Sequence, residues 1–289
     1  MDDLNADRMC YLSHSLAQST QATYSSGWSS YTSFCSRFSY TPLPLSQEVL
    51  ELYVSALARR LSFSTIKVYL HAVQHFSITQ GYVEKINTMS RLYYVLRGIK
   101  IVLGSSRSRP RRLPITISQI QHLHRWLQLT FSSTDAIMLQ AATSVAFFGL
   151  LRSSEYCSPR RSTPSTGTLA LSDVAFKNGL LLVHLRHSKT DPFYKGCTIR
   201  IGPSLSTVCP VAAMRRFLSL RGPATGPLFT FQDGSLLTRT VMSNLLATCF
   251  PGSSLDTHSF RIGGASALSS GGLPDATVQI LGRWTINCF

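Results

Sequence analysis

Arginine is the first side chain to follow in this sequence. In Leu150-Leu151-Arg152-Ser153-Ser154-Glu155 an Arg ends a markedly apolar stretch. A guanidinium there is costly unless it meets a carboxylate or a phosphate. Glu155 lies about one turn on, and a local ion pair is the better explanation of Arg152 when the motif is taken alone. In Thr257-His258-Ser259-Phe260-Arg261 a His and an Arg stand three apart, on one face at the start of a predicted helix. A helix N-terminus, an Arg and a His together suit a phosphate. The Gly263-Gly264-Ala265 run that follows removes side-chain bulk and permits close packing or a close backbone approach. Lys189, in His187-Ser188-Lys189-Thr190-Asp191-Pro192, falls at the tip of a predicted turn between strands. A tip lysine is ordinarily only solvated, yet a flexible tip also delivers an ammonium to a leaving oxygen.

Other chemistries find little support. No G-x-G-x-x-G follows a strand and no G-x-x-x-x-G-K-[ST] occurs, so no nucleotide site is expected. His71 and His75 have the spacing of a helical zinc pair but lack the Glu of a metalloprotease and an evident third ligand. A pair of core or surface histidines is the better reading. There is no G-x-S-x-G elbow. The acidic residues are few and isolated, which argues against a two-metal nuclease. No metal and no cofactor are expected.

The 289 residues carry 28 Lys plus Arg against 13 Asp plus Glu, a net charge of +15. That imbalance points to a polyanion as partner, nucleic acid before an acidic membrane. A hydrophobic fraction of 44% supports a folded core rather than disorder. The acidic start has no apolar segment behind it, and 138–151 is too short and polar to span a bilayer. Seven dispersed Cys without a C-x-x-C pair read as reduced thiols. A soluble intracellular protein is expected.

The elements that must position these residues fall into two textures. Tyr24, Trp28, Tyr31, Phe34 and Phe38 form a helical stripe, as do Val49 to Leu57, Ile66 to Phe76 and Leu92 to Leu103. Such stripes read as core, and four helices make a small all-α domain over 1–104. Residues 105–114 hold four Arg, three Ser and two Pro. They read as an exposed linker, whether as a bare hinge, an import address or a hinge lying on phosphates through Arg107, Arg109, Arg111 and Arg112. Beyond it, the pattern predicts a helix capped at Ser118 and another from Ser133 to Leu151. Strands are expected over 168–176, 180–185 and 197–201, with Asn178-Gly179 turning the first hairpin. Helices return over 210–220, 238–248, 257–269 and 274–281. The fold class expected is mainly α with a small three-stranded antiparallel sheet, an α+β arrangement.

In order and spacing, Arg152 with Glu155, Lys189, His258 with Arg261, and Leu281-Gly282-Arg283-Trp284 resemble the catalytic set of the tyrosine recombinases, the phage-integrase family. In flavour the chain most resembles DIRS-like or Crypton-like recombinases of eukaryotic mobile elements. The resemblance implies an N-terminal helical core-binding (SAM-like) domain over 1–104 and a tyrosine-recombinase catalytic domain over 115–289. It implies that Arg152 and Arg261 clamp the scissile phosphate, that His258 assists proton transfer and that Lys189 protonates the departing 5′-hydroxyl. Trp284 would stand where many members have a second His, and Glu155 would support Arg152. The implied partners are double-stranded DNA and further copies of the chain, a tetramer on two sites, with no membrane. The implied compartment is the nucleus, or the cytoplasm if the source is not eukaryotic.

One departure bears on activity. The family's nucleophile is a tyrosine about nine residues beyond Trp284, whereas this sequence stops at Phe289 and has no Tyr after Tyr194. The expectation is therefore a site-specific recombinase or integrase that works through a 3′-phosphotyrosyl intermediate, lacking its attacking group as the sequence stands, either truncated or a dead relic. The second expectation is a non-catalytic DNA-binding protein that keeps the phosphate pocket. A third, a basic protein for RNA or an acidic partner, lacks any RNA-binding signature of stacking aromatics.

Overall fold

The computed structural model describes residues 2–83, 85–104, 112–165, 167–186, 191, 195–223 and 225–284. The chain divides into two compact units, Met1–Arg109 and Pro110–Phe289.

Unit 1 is helical: α1 (Asp2–His14), α2 (Gln18–Arg37), α3 (Gln47–Ala58), α4 (Phe63–Thr79) and α5 (Ser90–Leu103). The core lies where the four periodic stripes meet. Tyr31 and Tyr53 are buried and pack edge to face, 5.1 Å between centroids, and Trp28 stacks on Phe76 at 5.2 Å. Gly27 lets α2 approach α4, since a Cβ there would meet the Ala72 methyl. His71 is exposed and His75 packs against Tyr24 and Phe76; no group of metal-binding residues occurs among the described residues. The sequence pattern missed α1, whose residues 3–14 are all exposed. A helix with no buried face leaves no apolar stripe to detect.

Unit 2 is built around α7 (Ser133–Phe148), buried from Ala136 to Phe147 and packed on α6 (Ile117–Thr130), α9 (Pro210–Arg221) and α11 (Ser259–Ser270). Small residues on several faces, Ala136, Ala141, Ala142, Ser144 and Ala146, let neighbours close in on all sides. The cap of α6 is Thr116 rather than Ser118. Its hydroxyl accepts from the Gln119 amide while the Gln119 side chain accepts from the Thr116 amide, a reciprocal box; Gln121, three residues after Ser118, turns its side chain to the Thr207 hydroxyl instead.

The sheet is antiparallel in the order β1 (Val174–Lys177), β2 (Leu180–Leu185), β3 (Cys197–Ile201). The first strand is shorter than expected because Leu171–Asp173 forms a 3-10 turn held by Asp173, whose carboxylate accepts from the Ala170 amide at 2.8 Å. Asn178 and Gly179 both have positive φ, 50° and 77°, as a two-residue hairpin requires. Leu181, Val183 and Leu185 point into the core. Arg186 ties the end of β2 to Asp173 at 2.6 Å, where the chain leaves for the β2–β3 connection.

Short α8 (Ser153–Tyr156), α10 (Arg239–Cys249) and α12 (Asp275–Gly282) complete the unit. Among the described residues no helix is long and apolar enough to cross a membrane. The fold is thus mainly α with one small antiparallel sheet, as the sequence pattern predicts.

Candidate active site

Two turns meet beside the N-terminal half of α11. The first follows α7, where Leu150 takes φ 48° although it is buried and not glycine. That conformation is strained by about 1–2 kcal/mol. It turns the Leu150 carbonyl toward two guanidiniums: Arg261 Nη1 and Arg283 Nη2 both donate to it, the latter at 3.2 Å. The second turn ends α12, where Arg283 itself holds the left-handed capping position, φ 57°, usually given to glycine.

Glu155 joins the two turns. Its carboxylate is 2% exposed and accepts from the Arg152 amide at 2.7 Å, from Arg152 Nη1 at 3.0 Å and from Arg283 Nη2 at 2.9 Å. Arg152 Nη2 donates in turn to the Arg283 carbonyl at 3.2 Å, and Arg283 Nη1 to the Gly149 carbonyl at 3.3 Å. Arg283 Nε is buried and meets no acceptor among the described residues.

Arg261 lies beneath this cluster, 1% exposed, on the third residue of α11. Its Nη1 and Nη2 donate to the Leu150 and Gly282 carbonyls, and its guanidinium faces the Trp284 ring at 4.4 Å. Burial, then the like charges of Arg152 and Arg283, pull its pKa down to about 10, with Glu155 opposing. It stays cationic at neutral pH. Two guanidiniums pair with one carboxylate and a third lies buried beside them, leaving a positive surplus in a poorly solvated pocket, which an anion would neutralise.

The glycines explain how α11 comes so close. A Cβ on Gly263 would overlap the Ile115 carbonyl, and one on Gly264 the Phe147 carbonyl. The chain entering unit 2 lies along α11, with the Ile115 amide donating to the Ser259 carbonyl at 3.2 Å. Gly282 is equally confined, because a Cβ there would overlap the Trp284 ring.

His258 is the N-cap residue of α11 and is partly buried. Its pKa is lowered by burial and by the charges of Arg112 and Arg261, so at neutral pH it is a neutral imidazole. Arg112 does not hang free in solvent. It pairs with Asp256 at 3.4 Å, as Arg239 does at 3.2 Å. Burial of Asp256 works against its charge, but hydrogen bonds from Ser243, the Thr257 amide and Arg239 outweigh it and hold the carboxyl below its ordinary range.

Arg152 pairs with Glu155 and Arg261 faces Trp284; Arg283, paired with Glu155 and sharing the Leu150 carbonyl with Arg261, links the two pairs, and His258 is one helical turn from Arg261. Lys189, Arg107, Arg109 and Arg111 lie outside the described residues. Tyr156 is 1% exposed and packed in the core of unit 2, turned away from the nucleophile's task; Tyr194 lies outside the described residues. The residue that sequence reasoning missed is Arg283. Its neighbour Trp284 drew attention, while the signal for Arg283 was an arginine directly after a helix-ending Gly282, in a segment with no nearby acid to pair it.

No protein-family model matches the sequence, and no curated protein matches it. Solved structures do. Lambda integrase, in a dimer bound to a COC′ core site, superposes with TM-score 0.64 at 14% identity over 98% of this chain and 91% of that one. The Tn1549 transposon integrase, in complex with transposon right end DNA, gives 0.63 at 15% identity over 93% and 86%. The site-specific recombinase XerH, bound to its difH substrate, gives 0.55 at 18% identity over 82% of this chain and 64% of that one. The chain has the tyrosine-recombinase fold.

Proposed function

We propose that this chain is a DNA-binding protein of the site-specific recombinase or integrase kind, whose guanidinium cluster receives a backbone phosphate of duplex DNA. The observation that carries the reading is Glu155 collecting Arg152 and Arg283 beside Arg261, from segments up to 131 residues apart, with more positive charge than one carboxylate balances. Its support is the fold, which the chain has in common with proteins solved on DNA.

On this reading Arg152 and Arg261 hold the non-bridging oxygens of the scissile phosphate and stabilise the charge of a pentacoordinate transition state. His258, neutral, donates a hydrogen bond to the same group. Where a tyrosine is supplied, its Oη gives up its proton, taken by the neutral His258 imidazole, and attacks phosphorus, forming a 3′-phosphotyrosyl bond as the P–O5′ bond breaks and Lys189 gives its proton to the departing 5′-oxygen. Trp284 covers the face of Arg261, so the phosphate approaches by the guanidinium edge. The mobile-element origin, the nuclear address and assembly as a tetramer, as lambda integrase forms on a Holliday junction, belong to the same proposal.

A second reading has its own observation. Tyr156 is sealed in the core and offers no attacking group, and a non-catalytic DNA-binding protein that keeps the phosphate pocket fits this. One experiment separates the two. The full chain is incubated with a nicked duplex that traps covalent intermediates. A protease-sensitive protein–DNA adduct is the result of recombinase chemistry; tight, salt-sensitive binding without an adduct is the result of the second reading. Failure to bind duplex DNA at all overturns both.

A further inference from the structure

A cleft of about 500 Å3 opens in unit 2, lined among others by Gln121, His124, Arg125, Gln140, Thr207 and Arg216. None of its lining residues belongs to the guanidinium cluster, and none is a carboxylate. Neither Arg125 nor Arg216 makes an ion pair among the described residues. Two guanidiniums lining one concave space without a counter-charge attract an anion with several acceptor oxygens.

The imidazole adds direction. The Thr143 hydroxyl lies within hydrogen-bond distance of His124 Nε2, at 3.0 Å, and of the Leu139 and Gln140 carbonyls, at 2.8 and 3.1 Å. Burial pushes the imidazole down to about 4, so at neutral pH the ring is uncharged, with one nitrogen donating and the other accepting. The walls are braced as well. Gln140, buried at 7% exposure, donates to the His124 carbonyl at 3.0 Å, and Gln121 donates to the Thr207 hydroxyl at 3.0 Å.

We propose that this cleft binds a phosphate monoester, its anionic oxygens on Arg125 and Arg216 and a polar group of the ligand on His124 Nδ1. The ligand is a free nucleotide or the 5′-phosphorylated end of a nucleic-acid strand; the recognising chemistry is the same for both. The site is separate from the cluster around Glu155 and does not depend on what that cluster binds.

The test follows the His124 ring proton by NMR in the full chain, assigned by its loss in His124→Asn. The probes are adenosine monophosphate, a 5′-phosphorylated duplex and the same duplex without terminal phosphate. A saturable shift with the monophosphate or with the phosphorylated duplex alone is expected, and which of the two acts identifies the source. Arg125→Gln or Arg216→Gln, both at exposed positions, should weaken the response roughly tenfold or more. No saturable shift with either phosphorylated probe, or one that survives the double substitution, overturns the proposal. A chain that ignores duplex DNA but still shows the nucleotide shift would refute the DNA reading and leave this site standing.

Discussion

Glu155 is a buried anion whose charge is tolerable because two arginines and a backbone amide surround it. Removing one partner leaves the others imperfectly compensated. Arg283→Ala should destabilise the chain by about 2–4 kcal/mol, read as a lower denaturant midpoint. Arg283→Lys should recover only part, since one ammonium cannot reach Glu155 and the Gly149 and Leu150 carbonyls together. His124 gives a second prediction at this scale. Unfolded, it takes a proton near pH 6.5; folded, it resists until about 4. In that window the unfolded state binds more protons, so stability falls as pH drops from 6.5 to 4, by up to about 3 kcal/mol. Thermal melts across that range should show the fall, and His124→Asn should flatten it. Arg152, Glu155 and Arg261 were legible in the sequence because apolar context and helix position made their charges conspicuous. Arg283 was not, because its partner Glu155 lies 128 residues away, and linear spacing says nothing of such a pair.

At the scale of elements, the close seating of α11 on α7 depends on glycines rather than on large apolar side chains. Gly264→Ala would drive a methyl into the Phe147 carbonyl, a backbone atom that cannot rotate away. We predict destabilisation of about 3 kcal/mol, measured by chemical unfolding, with a matching loss of duplex affinity because Arg261 rides on the same helix. Gly271→Ala at the end of α11, where the nearest atoms stand at 3.3 Å or more, should be far milder. Helices with a buried stripe, and the hairpin with Asn178-Gly179, could be read from sequence because periodicity and turn chemistry are local. The fully exposed α1 and the 3-10 turn that shortens β1 could not. The first buries nothing, and the second depends on an Asp173 side chain that propensity ignores.

At the scale of the molecule, a +15 chain folds into two units, and its most concentrated buried charge is cationic. Charge on this scale predicts association driven by counterion release, so affinity for DNA should fall steeply with salt. Sequence composition alone indicated the polyanion. It could not indicate that three guanidiniums converge, because that requires the turn at Leu150 and the end of α12 to meet in space. The measurement that tests the central claim most directly is duplex DNA affinity across a salt series, for the native chain and for Arg152→Ala. The cluster as a phosphate site predicts a steep negative dependence of log affinity on log salt. Arg152→Ala should weaken binding by roughly 1–3 kcal/mol and make that slope shallower by about 1. A flat salt response, or an Arg152→Ala protein that binds like the native chain at every salt concentration, would contradict it.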